Sequence, residues 1–375
     1  MKKDYRVIDG DGHMQEPTDI WDKYVEKAYH DKRPLVSGHV MRYLFSYAPC
    51  PSFPEGRGLP RPDSVFADCP DRFGKAWDSW WSLPARIDAM KQEKVDIQVG
   101  FPTNGGAALS SHLTDAPLQA ALCRAYNNWA TDYCRDSKGK VQYIALVSML
   151  DINEAIKEAK RASAIPAATA INMPDPGGSR VWSDAQFDPL WSALEELDLA
   201  ASFHGGGSQQ HFFKDLTKTP GLASVSHALA FPLDDMLAMG TLIFGGVLER
   251  HPNLRCSFLE ANAGWLPWWL GRMDDHAVGR QGRFQYGKGV DMKPSDYFRR
   301  QCFVACDADE ETLEIATERA ADNLIFNTDW PHPDAPVPGA VNKFLSRPIP
   351  DATKKKILWD NSVKLYGNRV TAAAK

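Results

Sequence analysis

The 375-residue sequence has no CxxC pair, no Gly-x-Gly-x-x-Gly or Walker loop after its first apolar run, and no internal repeat. Each absence removes a class of function. Its seven cysteines, Cys50, Cys69, Cys123, Cys134, Cys256, Cys302 and Cys306, are odd in number and scattered. That pattern argues against a disulfide framework and a thiolate zinc cage, and it predicts reduced, structural thiols. The missing glycine-rich loops argue against the open, doubly wound sheets that cradle nucleotides. With 43 basic and 48 acidic residues interspersed, net charge −5, there is no electrostatic footprint for nucleic acid. The opening MKKDYRVIDGDGH lacks the apolar stretch of a signal peptide, and no later run approaches the roughly 20 apolar residues of a membrane span. The expected location is the cytoplasm, with no membrane partner.

What is present is the composition of an ordinary globular protein, 43% hydrophobic and 24% charged. Short apolar runs at 5–10, 95–101, 141–147, 168–173, 199–204, 255–260, 302–306 and 323–327 read as eight strands. Segments 117–137, 152–164 and 188–198 between them have helical spacing. Strands that alternate with helices call for a parallel sheet, because a parallel connection needs a crossover of about a dozen residues or more. Eight such units predict an α/β fold of the (β/α)8 TIM-barrel class, a single domain over 1–370. The Pro- and aromatic-rich stretch 30–85 is then an insertion after strand one, a lid or a dimer contact. Trp81, with Trp77 and Trp80, is a candidate for lining a substrate pocket, although such aromatics also simply pack. The ending VTAAAK is expected to fray.

In such a barrel the chemistry belongs at the C-terminal strand ends. Asp11-Gly12-His13 closes the first run, and period-two geometry points Asp11 and His13 to one side. His204 closes the fifth run ahead of three glycines. Glu260 closes the sixth, followed by Asn262, and Asp329 follows the eighth in NTDWPHP, with His332 in the same turn. Each alone has a structural explanation: a chance triplet, a buried histidine on a carbonyl, a turn acid. Arg272 and Asp274 in the next helix are expected to form a salt bridge. Together, Asp11, His13, His204 and Asp329 form a set of imidazoles and carboxylates that suits one divalent ion, Zn²⁺ first and Mn²⁺ or Fe²⁺ as alternatives. Asp329 and Glu260 are the candidate acid and base; His227, Asn262, His332 and Trp81 are candidate substrate contacts.

The opening DGDGHMQEPTDIW, the segment RIDAMKQEKVDIQVGFPT, FDPLWSALEELDLAASFHGGG, GGVLERHPNLRCSFLEANAGWLPWWLGRMD and NTDWPHPDA carry a further signal. In order, they resemble the amidohydrolase-related family that includes aminocarboxymuconate semialdehyde decarboxylase and the γ-resorcylate and 5-carboxyvanillate decarboxylases. The resemblance implies that Asp11 and His13 stand for the family's first-strand pair, His204 for its strand-five histidine and Asp329 for its strand-eight aspartate. It also implies a homodimer acting on a small molecule. The sequence departs at strand six, where Glu260 and Asn262 replace the decarboxylases' histidine and glycine-rich turn. On that position the expected chemistry is hydrolysis of an amide, ester, thioester or carbon–carbon bond by metal-activated water. Non-oxidative decarboxylation of an aromatic or unsaturated acid is the alternative. A non-catalytic binding protein on the same barrel would have a broken ligand set.

Overall fold

The computed structural model of the protein describes residues 5–40, 44–51, 53, 56, 68–109, 114–174, 176, 180–205, 221–277, 290–333 and 335–373. Among these, eight strands join one sheet in chain order: β1 (Ile8–Met14), β4 (Ile97–Pro102), β5 (Val141–Ala145), β6 (Ala168–Met173), β7 (Ala200–His204), β8 (Cys256–Leu259), β9 (Cys302–Cys306) and β10 (Leu324–Phe326). Neighbours such as β1 with β4 and β7 with β8 run parallel, with helices between successive strands. This is the (β/α)8 TIM-barrel fold. β2 (Val36–Val40) and β3 (Leu44–Tyr47) form a separate antiparallel pair inside the insertion.

All eight expected strands form, each within a few residues of the run that announced it. The largest shift is at β1, which begins later than its apolar run and carries Asp11 and His13 within it. The register of β1 against β4 slips between Asp9 and Gly12. Gly12 is required there: a Cβ would lie 2.6 Å from Nε2 of Gln98. The three expected helices appear as Ala116–Cys134, Ile152–Ser163 and Asp188–Glu196. Asp115 and Asp151 cap the first two by accepting backbone N–H bonds, and Pro117 and Pro189 sit in first turns that need no donor.

The chain divides into two compact units, each assembled from separated stretches. The β1 unit comprises Val7–Thr169, Thr328–Asn342 and Arg369–Lys375. Its insertion is packed rather than open. Trp81 is 2% exposed and meets Trp330 edge-on at 5.6 Å, with Phe73 and Trp77 against it. Those contacts are core packing. The guanidinium of Arg72 donates to the carbonyls of Pro333, Ala335 and Val337. The expected frayed end is instead docked: Val370 is buried, its carbonyl accepts from Gln142 Nε2 at 2.7 Å, and Arg369 donates to the carbonyls of Ser163 and Ala168. One buried valine and the arginine before it supply the anchor, a signal too small to read from sequence.

The β7 unit comprises Met1–Arg6, Ala170–Asn327 and Lys343–Asn368. Its helix Leu222–Phe244 contradicts the expectation that no run suits a bilayer, since Ser224–Phe244 is long and apolar enough by length and composition. Asp234, Asp235 and Pro232 interrupt that run in the sequence. Each aspartate at mid-membrane costs about 2.5–3.5 kcal/mol on insertion scales, and Met239, Leu242 and Ile243 are buried in protein. Asp274 makes a different contact from the expected salt bridge. Its carboxylate accepts from Ser295 N and Oγ at 2.9 and 2.7 Å, tying down helix Pro294–Gln301. All seven cysteines are free thiols, six of them buried, and burial pushes Cys134 up to about 12.

Candidate metal centre

Two sets of polar side chains stand at strand ends, one in each unit. In the β1 unit, the backbone first ties β1 to the turn after β10: His13 N donates to Trp330 O at 2.7 Å and Asp329 N to Asp11 O at 3.0 Å. Asp329 takes a left-handed conformation at φ 53°, which turns the chain back beside His13. Nε2 of His13 then lies 3.3 Å from Oδ1 of Asp329 and 4.0 Å from Oδ1 of Asp11. His332 Nδ1 is 3.1 Å from the same Asp329 oxygen, and the rings of His13 and His332 are 3.7 Å apart. Donor atoms of His13, Asp329 and His332 all fall within 4.8 Å of one another.

A second layer fixes this set. The buried guanidinium of Arg86 donates to His13 O and Gln98 Oε1, both at 2.6 Å, and to Tyr133 Oη at 3.0 Å, while lying 4.5 Å over the Trp330 ring. Gln98 in turn donates to Asp9, whose carboxyl also accepts Thr328 N and Oγ1 at 2.9 and 2.6 Å. Burial raises the Asp9 carboxyl above its ordinary range. His13 Nδ1 faces the Thr103 hydroxyl at 3.3 Å.

In the β7 unit, His204 Nδ1 is 3.0 Å from Gly205 O, so that nitrogen carries the proton, because a carbonyl can only accept. Its Nε2 is then left to a proton or an ion, and Glu260 Oε2 lies 2.7 Å from it. Glu260 and Asn262 both have positive φ, 56° and 54°, the kind of backbone outlier that collects at functional sites. Asn262 Nδ2 donates to Asp307 Oδ2 at 3.1 Å. Burial pushes the Asp307 carboxyl up to about 7; Glu310, Asp309 and Glu260 add to the rise and Asn327 opposes it. His227 is exposed on helix Leu222–Phe244, 5.0 Å from the Phe231 ring.

The residues fit a divalent cation. Asp11 and Asp329 are two buried acids placed around one imidazole, an arrangement that a positive charge favours. Burial, with His13 beside it, holds the His332 imidazole well below its usual range and therefore neutral, the form that ligates. Only nitrogen and oxygen donors are offered, as in open catalytic sites rather than closed structural ones.

The sequence reading singled out Asp11, His13, His204, Glu260, Asn262, Asp329 and His332, and the structure brings Asp11, His13, Asp329 and His332 together in one unit and His204 with Glu260 in the other. His332, read as a substrate contact, stands against Asp329. Asp307 and Thr103 were missed. Asp307 directly follows the strand CFVAC, and a carboxylate in that position was the available signal.

Residues 11–368 match the sequence profile of the amidohydrolase family. The chain belongs to that family. Among curated relatives, γ-resorcylate decarboxylase of Polaromonas sp. (strain JS666) is 24% identical over 193 residues, 48% of this chain and 55% of that protein. The chain thus spans about half the length of that relative. A 2-amino-3-carboxymuconate-6-semialdehyde decarboxylase of Dictyostelium discoideum is 21% identical over 76% of this chain and 77% of its own. Among solved structures, an amidohydrolase from Mycobacterium avium subsp. paratuberculosis K-10 superposes with TM-score 0.75 at 20% identity, covering 98% of this chain and 100% of that one. A dihydroxybenzoic acid decarboxylase from Polaromonas sp. JS666, with bound manganese and the inhibitor 2-nitroresorcinol, gives 0.63 at 18%, covering 82% and 94%.

Proposed function

We propose that this amidohydrolase is a metal-dependent decarboxylase of a small aromatic or unsaturated carboxylic acid, with hydroxybenzoates the first class to test. The observation that carries the reading is that both curated relatives described above are decarboxylases. Their names favour lyase chemistry over the hydrolysis that the strand-six departure suggested. Asp11, His13, His204 and Asp329 are the proposed ligands, each on or just after a parallel strand. The ion, Mn²⁺ as in the Polaromonas neighbour or Zn²⁺ or Fe²⁺, would supply positive charge to hold the substrate carboxylate with an adjacent oxygen and to stabilise developing negative charge.

The chain's own part is proton delivery and orientation. Asp329 or Glu260, protonated, donates to the ring carbon that bears the carboxylate. The bond from that carbon to the carboxylate then breaks, its electron pair restores the ring, and CO₂ leaves; the acid regains its proton from solvent. Glu260 Oε2 lies 2.7 Å from His204 Nε2, the nitrogen proposed to hold the ion, and that nearness supports a part for it in proton transfer. Asn262, His227 and His332 are proposed to contact substrate, and Trp81 to act by packing behind Trp330. Assembly as a homodimer is likewise proposed, to be checked by light scattering.

Hydrolysis is kept as the second reading for one observation, the glutamate that stands at the end of β8 in place of a histidine. The test is a substrate panel of hydroxybenzoates against amides and thioesters, with CO₂ release scored separately from hydrolysis. Asp329→Asn should lower turnover by about 10²–10⁴-fold, the usual contribution of a positioned acid. Hydrolysis without CO₂ from any acid would replace the decarboxylase reading. Wild type that takes up no divalent ion, measured by elemental analysis beside His204→Ala, would remove both.

A further inference from the structure

The two histidines in the proposed ligand set are held from behind by different chemistry. His204 Nδ1 rests on a carbonyl, Gly205 O at 3.0 Å, which accepts only and therefore permits one ring tautomer. His13 Nδ1 rests on a hydroxyl, Thr103 Oγ1 at 3.3 Å, which can accept or donate. That hydroxyl is itself placed by the fold. Gln15 Nε2 donates to it at 3.1 Å, and the loop that bears it is pinned by Glu16, whose carboxylate accepts Thr103 N, Asn104 N and Gly105 N at 3.2, 2.7 and 2.9 Å. Gly105 permits this close approach, since a Cβ there would lie 2.4 Å from the Tyr126 ring and 2.8 Å from Glu16 Oε1.

We propose that Thr103 is the positioning residue for His13, its hydroxyl holding the ring from behind so that Nε2 is left for the ion. The inference rests on the reading that His13 is a ligand. Nε2, on the far side of the ring from Thr103, lies 3.3 Å from Asp329 Oδ1. With an ion on Nε2, the ring proton would be on Nδ1 and would donate to Thr103 Oγ1, whose two lone pairs accept from His13 and Gln15 together. A methyl in that place could not accept that proton.

The test has two arms on the full-length protein. In the first, Zn²⁺ affinity is measured by chelator competition for wild type, Thr103→Val and Thr103→Ser. Loss of the rear partner of a metal-binding histidine should weaken binding about 10–100-fold in Thr103→Val. Thr103→Ser, which keeps the hydroxyl, should recover to within about threefold of wild type. Equal affinity in Thr103→Val, or no recovery in the serine variant, overturns the proposal. In the second arm, nitrogen NMR of ¹⁵N-histidine protein, with His13 assigned from a His13→Asn sample, reads the tautomer directly. Zn²⁺-loaded wild type should carry the His13 ring proton on Nδ1. A loaded ring without a proton on Nδ1 overturns the proposal, and this arm needs no variant to fold. If wild type takes up no Zn²⁺, the metal reading fails separately. The metal-free ring then still decides the role of Thr103: a tautomer distribution that Thr103→Val alters and Thr103→Ser restores supports it, and one that Thr103→Val leaves unchanged overturns it.

Discussion

Asp307 has an acid's environment with acids for company. Its carboxyl is raised to about 7 from an ordinary 3.8 by burial, with Glu310, Asp309 and Glu260 adding like charge. Between those two values the folded protein holds a proton that the unfolded chain has released, so stability falls as pH rises from about 4 to about 7. Asp307→Asn removes that proton equilibrium. The urea midpoint of chelator-treated wild type should therefore decline more steeply across this window than that of Asp307→Asn; parallel declines would assign the slope elsewhere. The residues legible in sequence were those whose place at a strand end is marked: Asp11, His13, His204, Glu260 and Asp329. Thr103 and Asp307 were not, because a threonine after a strand is commonplace and an aspartate gains its character only from what is folded around it. Arg86 was hidden for a similar reason. A charged residue in a helix reads as solvated until the chain buries it under Trp330.

At the scale of elements, period and length announced the eight strands and three helices closely, because each strand is a short buried run bounded by helix. The insertion was harder. Its composition marked it as irregular, but its contact with the turn after Asp329 runs through one arginine. Arg72 gathers the carbonyls of Pro333, Ala335 and Val337, in the turn that follows Asp329 and His332. Arg72→Met should speed hydrogen exchange at the His332 and Ala335 amides, which bond back to Asp329 O and His332 O. It should also cost about 1–3 kcal/mol of stability, the range for stripping partners from buried polar groups. Unchanged exchange at those two amides would show that the turn keeps its shape unaided.

At the scale of the whole molecule, the proposed ligands Asp11, His13, His204 and Asp329 come from distant parts of the chain. The unfolded chain cannot offer them as a set, so an ion bound to the folded form alone stabilises by mass action. At a free concentration one hundred times the dissociation constant this contributes about 2.7 kcal/mol. Thermal unfolding should therefore shift upward by several degrees on adding Zn²⁺ or Mn²⁺ and downward on chelation, with His204→Ala losing most of the response. A Tm indifferent to both ions in wild type would argue against a shared site.

The Asp9 network also has a temporal side. Thr328, which donates two bonds to Asp9, follows it in the chain by 319 positions. At roughly 5–20 residues per second, the carboxyl waits about 15–60 s for that partner. Over that interval β1 is synthesised but unfinished, its interior acid still in need of water or a chaperone, and it reaches its final arrangement only when Thr328 arrives.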